Sequence, residues 1–296
     1  MFKQCFKPEL ALGDLDINPD RFTKFSQIKD ILKQIAVHPL DIVIYFDFSR
    51  SNLINQQKSL QHTDSLNNPY IIALKAILTA SAELDSNRVF HAYRFGCVDS
   101  KHKRVVPLLG DQAKFTSSEE LMGAYFSALK TTILSGPTQI STCIDSMITH
   151  CQQFKEHTIG VILTNSPSQS ITKDFNSVIQ ASYFPISICC IGVGDANFDS
   201  LEFLDDCEGR KFDNFQFFHL DTLSRKYQSK DFAQILCCKT FMELPDQYVR
   251  CQNLGYHDEL RACRIVKEHS DIFAEVQFGQ EFIREKIEQS QLLSLE

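Results

Sequence analysis

The chain has 296 residues, 43% hydrophobic and 23% charged, with a net charge of −7. These proportions exclude a disordered chain, and the acidic balance argues against a nucleic-acid binder; the densest basic run, Lys101-His102-Lys103-Arg104, reads as a solvated hairpin loop. Eleven cysteines without any C-x-x-C spacing, the nearest pairs being Cys189-Cys190 and Cys237-Cys238, argue against a paired-ligand zinc module and fit reduced core thiols in a cytoplasmic or nuclear protein.

The opening MFKQCFKPELALGDL lacks the apolar core of a secretory signal, Phe at position 2 excludes myristoylation, and the tail LLSLE carries no prenylation box. The uncharged stretch 175–194 reaches membrane length, but Asn176, Gln180 and Pro185 divide it into a helix, a turn and a buried strand. A soluble protein without direct membrane insertion is expected.

After a lead-in over 1–24, Phe25, Ile28, Ile31 and Leu32 recur at helical spacing and predict a short amphipathic helix. Residues 41–51, DIVIYFDFSRS, then hold the centre of the chain. The unbroken run from Ile42 to Phe46 suits a strand covered on both faces. It stops at Asp47-Phe48-Ser49-Arg50-Ser51, which puts a carboxylate and two hydroxyls beyond the carboxyl end of a strand, where open α/β sheets bind ligands. Such a cluster is a hard oxygen set suited to Mg²⁺, Mn²⁺ or Ca²⁺; equally, Asp47 and Ser49 can form a turn or cap the next helix.

Asn68-Pro69 predicts the start of a helix through Leu84. A strand over 88–95 follows, with a hairpin partner over 104–109. Helices are expected from about 118 to 129 and from 140 to 154, a buried strand over 157–164, a helix over 172–182, and strands over 186–193 and 212–220. Alternating strands and helices imply a doubly wound, mostly parallel sheet with helices on both faces. The segments 231–244 and 257–287 read as helical, the second with Val266, Ile272, Phe273, Val276, Phe278, Phe282, Ile283 and Ile287 as its apolar stripe.

DFSRSN, GPT, ASYFPISICCIGVGDANF, RKFDNFQFF and FMELPDQY follow one another in an order that resembles the von Willebrand factor A-type domain of copines, in particular the copine-like domain of RING-type ubiquitin ligases. The resemblance spans roughly 25–248, leaving 249–296 as a helical C-terminal extension. It implies an α/β fold of six strands flanked by helices, with a metal-ion-dependent adhesion site at the carboxyl edge. Its ligands would fall on Asp47, Ser49 and Ser51, on Thr138 of the second loop, and on Asn165 of the third, where the family carries an aspartate. Mg²⁺, Mn²⁺ or Ca²⁺ is the implied ion, and Asn165 costs the site one formal negative charge. No paired Cys/His ligands of a RING occur, and about 40 residues before the first strand are too few for a C2 β-sandwich. Neither ligase activity nor calcium-dependent membrane binding is therefore expected of these residues.

Other chemistries find little support. The sequence contains no G-x-S-x-G, H-E-x-x-H or P-loop, and Gly192-Val193-Gly194 lacks the third glycine of a dinucleotide fingerprint. His150, His157 and His219 read as core or solvated histidines, and Asp205-Asp206 as an exposed acidic helix end. A metal-assisted hydrolase would need a base or nucleophile beside the oxygen cluster, and these loops offer none. The expectation is a non-catalytic module that grips a protein partner's acidic side chain through the metal-site face. The alternative is an adaptor or scaffold, ubiquitin-ligase associated or not, with a degenerate, metal-free site.

Overall fold

The central strand β1 (Leu40–Asp47) is buried along its whole length, and the two faces of its apolar run meet two different layers. In this computed structural model, which describes residues 22–35, 40–55, 58–61, 68–84, 89–101, 103–227 and 231–257, side chains alternate across the strand. Ile42, Ile44 and Phe46 face one cluster and Val43 and Tyr45 the other. The first cluster takes in α1 (Phe25–Ile35), α2 (Pro69–Leu84), α3 (Ser118–Thr131), α8 (Phe232–Phe241) and α9 (Leu244–Asn253). The second takes in α4 (Ser141–Phe154), α5 (Ile171–Ala181) and α6 (Asp199–Asp205). A strand that must be apolar on both sides cannot alternate in sequence, which is why this one does not.

The main sheet runs β5-β4-β1-β7-β8-β9, with β6 also paired to β4. Here β4 is Phe90–Phe95, β5 Val106–Pro107, β6 Lys114–Phe115, β7 His157–Thr164, β8 Ile186–Gly192 and β9 Phe215–His219. The pairings of β4, β1, β7, β8 and β9 are parallel, while β5 and β6 lie antiparallel to β4. The doubly wound fold expected of a von Willebrand factor A-like domain is thus the one observed. Among the described residues the sheet has seven strands where six were expected; the addition is β6, two residues whose register is set by β4 and not by any pattern of their own.

The chain leaves β1 to build β4 on one side and returns to build β7 on the other, so strand order reverses at β1. That switch point leaves a crevice at the carboxyl end of β1. Local signals act as expected around it: the Asn68 side chain caps α2 at the N–H groups of Tyr70 and Ile71, and Ser117 caps α3 at Glu120. The connection after β1 carries a single 3₁₀ turn (Arg50–Asn52) and a small separate hairpin of β2 (Leu53–Asn55) and β3 (Lys58–Ser59). A further short helix, α7 (Leu220–Lys226), follows β9 directly. The expected lead-in over 1–24 and the apolar stripe from Val266 to Ile287 lie outside the described residues, apart from 22–24.

Candidate functional site

Three loops meet at the carboxyl end of β1, and backbone hydrogen bonds join them. Phe48 N–H donates to Phe95 C=O at 2.8 Å, continuing the β1–β4 ladder one step beyond the strand. Ser135 N–H donates to Phe48 C=O at 3.3 Å and Arg50 N–H to Ser135 C=O, fastening the second loop to the first. Gln169 N–H donates to Thr138 C=O at 2.9 Å, fastening the third to the second. Gly96 has a left-handed φ of +72°, and a Cβ there would stand 2.8 Å from Ser49 N, so this contact between the first loop and the end of β4 requires glycine.

Beneath the first loop lies a layer of buried polar groups. Asn52 Nδ2 donates to the carbonyls of Asp47 (2.9 Å) and Ser49 (3.2 Å), and Gln61 Nε2 donates to Asp47 C=O at 2.6 Å. The Tyr70 hydroxyl in turn donates to Asn52 Oδ1 at 2.7 Å.

All five side chains singled out in the sequence converge here, across more than a hundred residues of chain. Asp47 Oδ1 accepts from Ser49 N–H at 2.7 Å. Thr138 Oγ1 stands 3.1 Å from Asp47 Oδ2, 3.0 Å from Ser49 Oγ and 2.6 Å from Ser166 Oγ. Ser49 Oγ lies 2.6 Å from Ser51 Oγ, which donates to Asn165 Oδ1 at 2.8 Å and lies 3.2 Å from Ser166 Oγ. Two further hydroxyls belong to the cluster: Ser166, and Thr164, whose hydroxyl donates to Asp47 Oδ2 at 2.6 Å. Register accounts for Thr164, since β7 pairs Leu163 with Phe46 and brings the next residue beside Asp47.

Asp47 is fully buried and Ser51 is exposed, so the cluster opens outward through Ser51 and the half-exposed Ser166. Burial pushes the Asp47 carboxyl above the usual carboxylate range, against the pull of hydrogen bonds from Ser49, Thr164 and Thr138. The groups that pull against burial are the neutral dipoles of Ser49, Thr164 and Thr138. Close by, the exposed Val98 and Ile133 are joined by a backbone hydrogen bond of 3.1 Å, and Leu53, also exposed, follows the 3₁₀ turn.

A copine family model matches residues 59–259, more than half of the chain and inclusive of Thr138 and Asn165. The chain belongs to the copine family. Copine relatives include the E3 ubiquitin-protein ligase RGLG2 of Arabidopsis thaliana, 26% identical over 77% of this chain and 53% of the relative. Copine family protein 1 of Caenorhabditis elegans is 24% identical over 80% of this chain and 22% of the relative. This copine chain spans about half the length of the RGLG2 ligase and under a quarter of the nematode protein. Among solved structures it is similar to a von Willebrand factor type A protein from Catenulispora acidiphila (16% identity, 69% of this chain and 43% of that one, TM-score 0.43). It is also similar to the manganese-loaded TRAP protein of Plasmodium vivax (14% identity, 67% of this chain and 74% of that one, TM-score 0.41).

Within this copine domain the sequence motif located the first loop and the loop ends, and missed the two hydroxyls that complete the cluster. Thr164 was concealed as the last residue of an apolar strand. Ser166, adjacent to Asn165, was in view but had no counterpart in the expected ligand set.

Proposed function

We propose that this copine domain is a non-catalytic protein-interaction module whose hydroxyl-rich edge holds Mg²⁺ or Mn²⁺ (Ca²⁺ as the larger alternative), and through it a partner's acidic side chain. The observation that carries this reading is the convergence of Asp47, Ser49, Ser51, Thr138 and Asn165 at one crevice. Neighbouring oxygens there lie 2.6–3.2 Å apart. An octahedral shell at 2.0–2.1 Å from Mg²⁺ needs spacings of about 3.0 Å, whereas Ca²⁺ needs roughly 3.4 Å. The donor set, one carboxylate with hydroxyls and an amide oxygen, is hard throughout. Asp47, Ser49, Ser51, Thr138 and Asn165 would hold the ion, and the ion would supply an open position for a carboxylate. Val98, Ile133 and Leu53, exposed on segments adjoining these loops, would offer apolar contact to a partner docked at this edge.

Nine buried, free cysteines among the described residues support a reducing compartment, cytoplasm or nucleus. None of the described helices is long and apolar enough to cross a membrane. A second reading has its own observation: Asn165 stands in place of an acid, and the hydroxyls already satisfy one another. On that reading the domain is a metal-free adaptor, and the ligase names of its relatives suggest an assembly with ubiquitin transfer.

Calorimetric titration with Mg²⁺ and Mn²⁺ separates the two. A second carboxylate at position 165 adds a net gain on the order of 1–2 kcal/mol once desolvation has cancelled most of the attraction, about tenfold in affinity. Asn165→Asp is therefore expected to bind about tenfold more tightly than the native protein, and Asp47→Ala to abolish binding in both backgrounds. Silence from both native protein and Asn165→Asp establishes the adaptor reading, and binding that survives Asp47→Ala places the ion elsewhere.

A further inference from the structure

At the opposite end of β1 a second polar cluster is buried, and its chemistry differs from the first. Asp41 lies two residues before Val43 and so shares its face; Val43 is paired with His91 on β4. That face is covered by α4, whose last turns bring His150 down onto the pair. Asp41, His91 and His150 are respectively 2%, 6% and 4% exposed. Each carboxylate oxygen of Asp41 meets one imidazole: His150 Nε2 lies 2.5 Å from Oδ2, and His91 Nδ1 lies 3.4 Å from Oδ1. The two rings stand edge to face, 4.6 Å between centroids, and Phe154, one helical turn beyond His150, packs on both.

Among the described residues this is the one group of three or more His, Cys, Asp or Glu side chains whose ligand atoms all fall within 4.8 Å of one another. Two imidazoles and a carboxylate form a borderline N₂O set, which favours Zn²⁺ and its transition-metal neighbours over Mg²⁺ or Ca²⁺. Ligand atoms around a tetrahedral ion at about 2.0 Å stand roughly 3.3 Å apart. The His91–Asp41 distance already has about this value, and the His150–Asp41 distance is the shorter one of a direct hydrogen-bond contact. Replacing that contact by a metal requires His150 and Asp41 to part by roughly 0.8 Å at a side chain near a helix end. Of the three, His150 also borders a cavity of about 320 Å³, together with Tyr93, Thr149 and Gln153. Three protein ligands leave a fourth position for a water or an exchangeable group.

We infer that Asp41, His91 and His150 form a second cation site, for Zn²⁺ or a closely related divalent transition metal, at the amino end of β1. Its ion fastens β1, β4 and α4 at the edge remote from the hydroxyl cluster. Imidazole and carboxylate bind a metal only when deprotonated, so affinity falls as the medium becomes acidic.

The test is titration of the chelator-treated, full-length chain with Co²⁺, followed by absorption and by competition with Zn²⁺. The expected result is visible ligand-field bands of a four-coordinate nitrogen–oxygen site that saturate with one Co²⁺ at this cluster, distinct from any weakly absorbing octahedral Co²⁺ at the hydroxyl edge, with no sulfur-to-cobalt charge-transfer band and a raised melting temperature. His150→Gln and His91→Ala lose more than about a hundredfold in affinity, while Asp47→Ala keeps the spectrum unchanged. An intense thiolate band assigns the ion to cysteine and overturns the proposal. So does absence of binding by the folded native protein, or binding unaffected by either histidine substitution. The native spectrum decides alone if a variant fails to fold.

Discussion

Asp41 and Asp47 stand at the two ends of one buried strand, and their surroundings act on the same carboxyl group in opposite directions. For both, burial is the largest influence and disfavours the charge. At Asp47 the opposing groups are hydroxyls and a backbone N–H, which stabilise the carboxylate but do not offset burial. At Asp41 the hydrogen bonds and charges of His150 and His91 outweigh burial and hold the carboxyl below its usual range. Hydroxyl dipoles leave the buried acid above its usual range, whereas the hydrogen bonds of two imidazoles bring the other below it.

The strongest way to break this comparison is to neutralise each acid without changing its shape. In chelator, at neutral pH, Asp41→Asn removes one partner of a buried hydrogen-bonded pair and is expected to cost about 3–5 kcal/mol. Asp47→Asn is expected to stay within about 1 kcal/mol of the native protein, since Asn keeps the acceptor for Ser49 N–H and relieves a buried charge. Urea unfolding of both variants measures the difference; equal losses would remove the contrast.

A steric change acts on one end only. Gly96→Ala combines a left-handed φ with a Cβ 2.8 Å from Ser49 N, and is expected to destabilise by about 2–3 kcal/mol. It should weaken Mg²⁺ binding at the hydroxyl cluster and leave any Co²⁺ spectrum from Asp41, His91 and His150 as it was. Loss of both signals would mean that the two ends do not behave separately.

Glu243 gives the third comparison, a buried acid that lacks both a hydroxyl cage and a histidine. Burial, then the charges of Asp213 and Asp205, push its carboxyl up to about 8. Its ordinary value is 4.5. Between those values the unfolded chain has released the proton and the folded chain has kept it, so stability falls as pH rises through this window. Glu243→Gln is expected to stabilise by roughly 1–2 kcal/mol at pH 8 and to change little at pH 4. Melting curves at the two pH values are the measurement, and an equal effect at both would assign the change to packing.

The parts of this fold that sequence could disclose are those whose physics is local. The apolar runs of β1, β7 and β8 are continuous because both faces are covered, and their ends could be placed within a residue or two. The Asp47–Ser51 loop was legible because three oxygen-bearing side chains crowd into five residues. Asp41, His91 and His150 were not, because their contacts span 50 and 109 residues and a lone histidine carries no spacing signal. The same limit applies at Asp205-Asp206, which reads as an exposed acidic helix end. Asp206 is exposed, but Asp205 turns inward, accepts from Phe217 N–H at 3.0 Å, and is pushed by burial up to about 7. Whether a side chain at a helix end turns in depends on the strand beside it, here β9, and that strand lies twelve residues away.

The closure of the hydroxyl cluster on itself has a kinetic consequence. Ser49, Ser51, Thr138 and Ser166 hold one another by hydroxyl contacts, while the loops that carry them are already fixed by backbone hydrogen bonds. To admit an ion, these groups would need only to turn about single bonds, and no stretch of backbone would have to travel. On the proposed metal-binding reading, the slow step of capture would be the ion's own loss of water, which Mg²⁺ gives up reluctantly and Ca²⁺ readily. The order in which different ions arrive at this edge would therefore follow their rates of water exchange and not their final affinities.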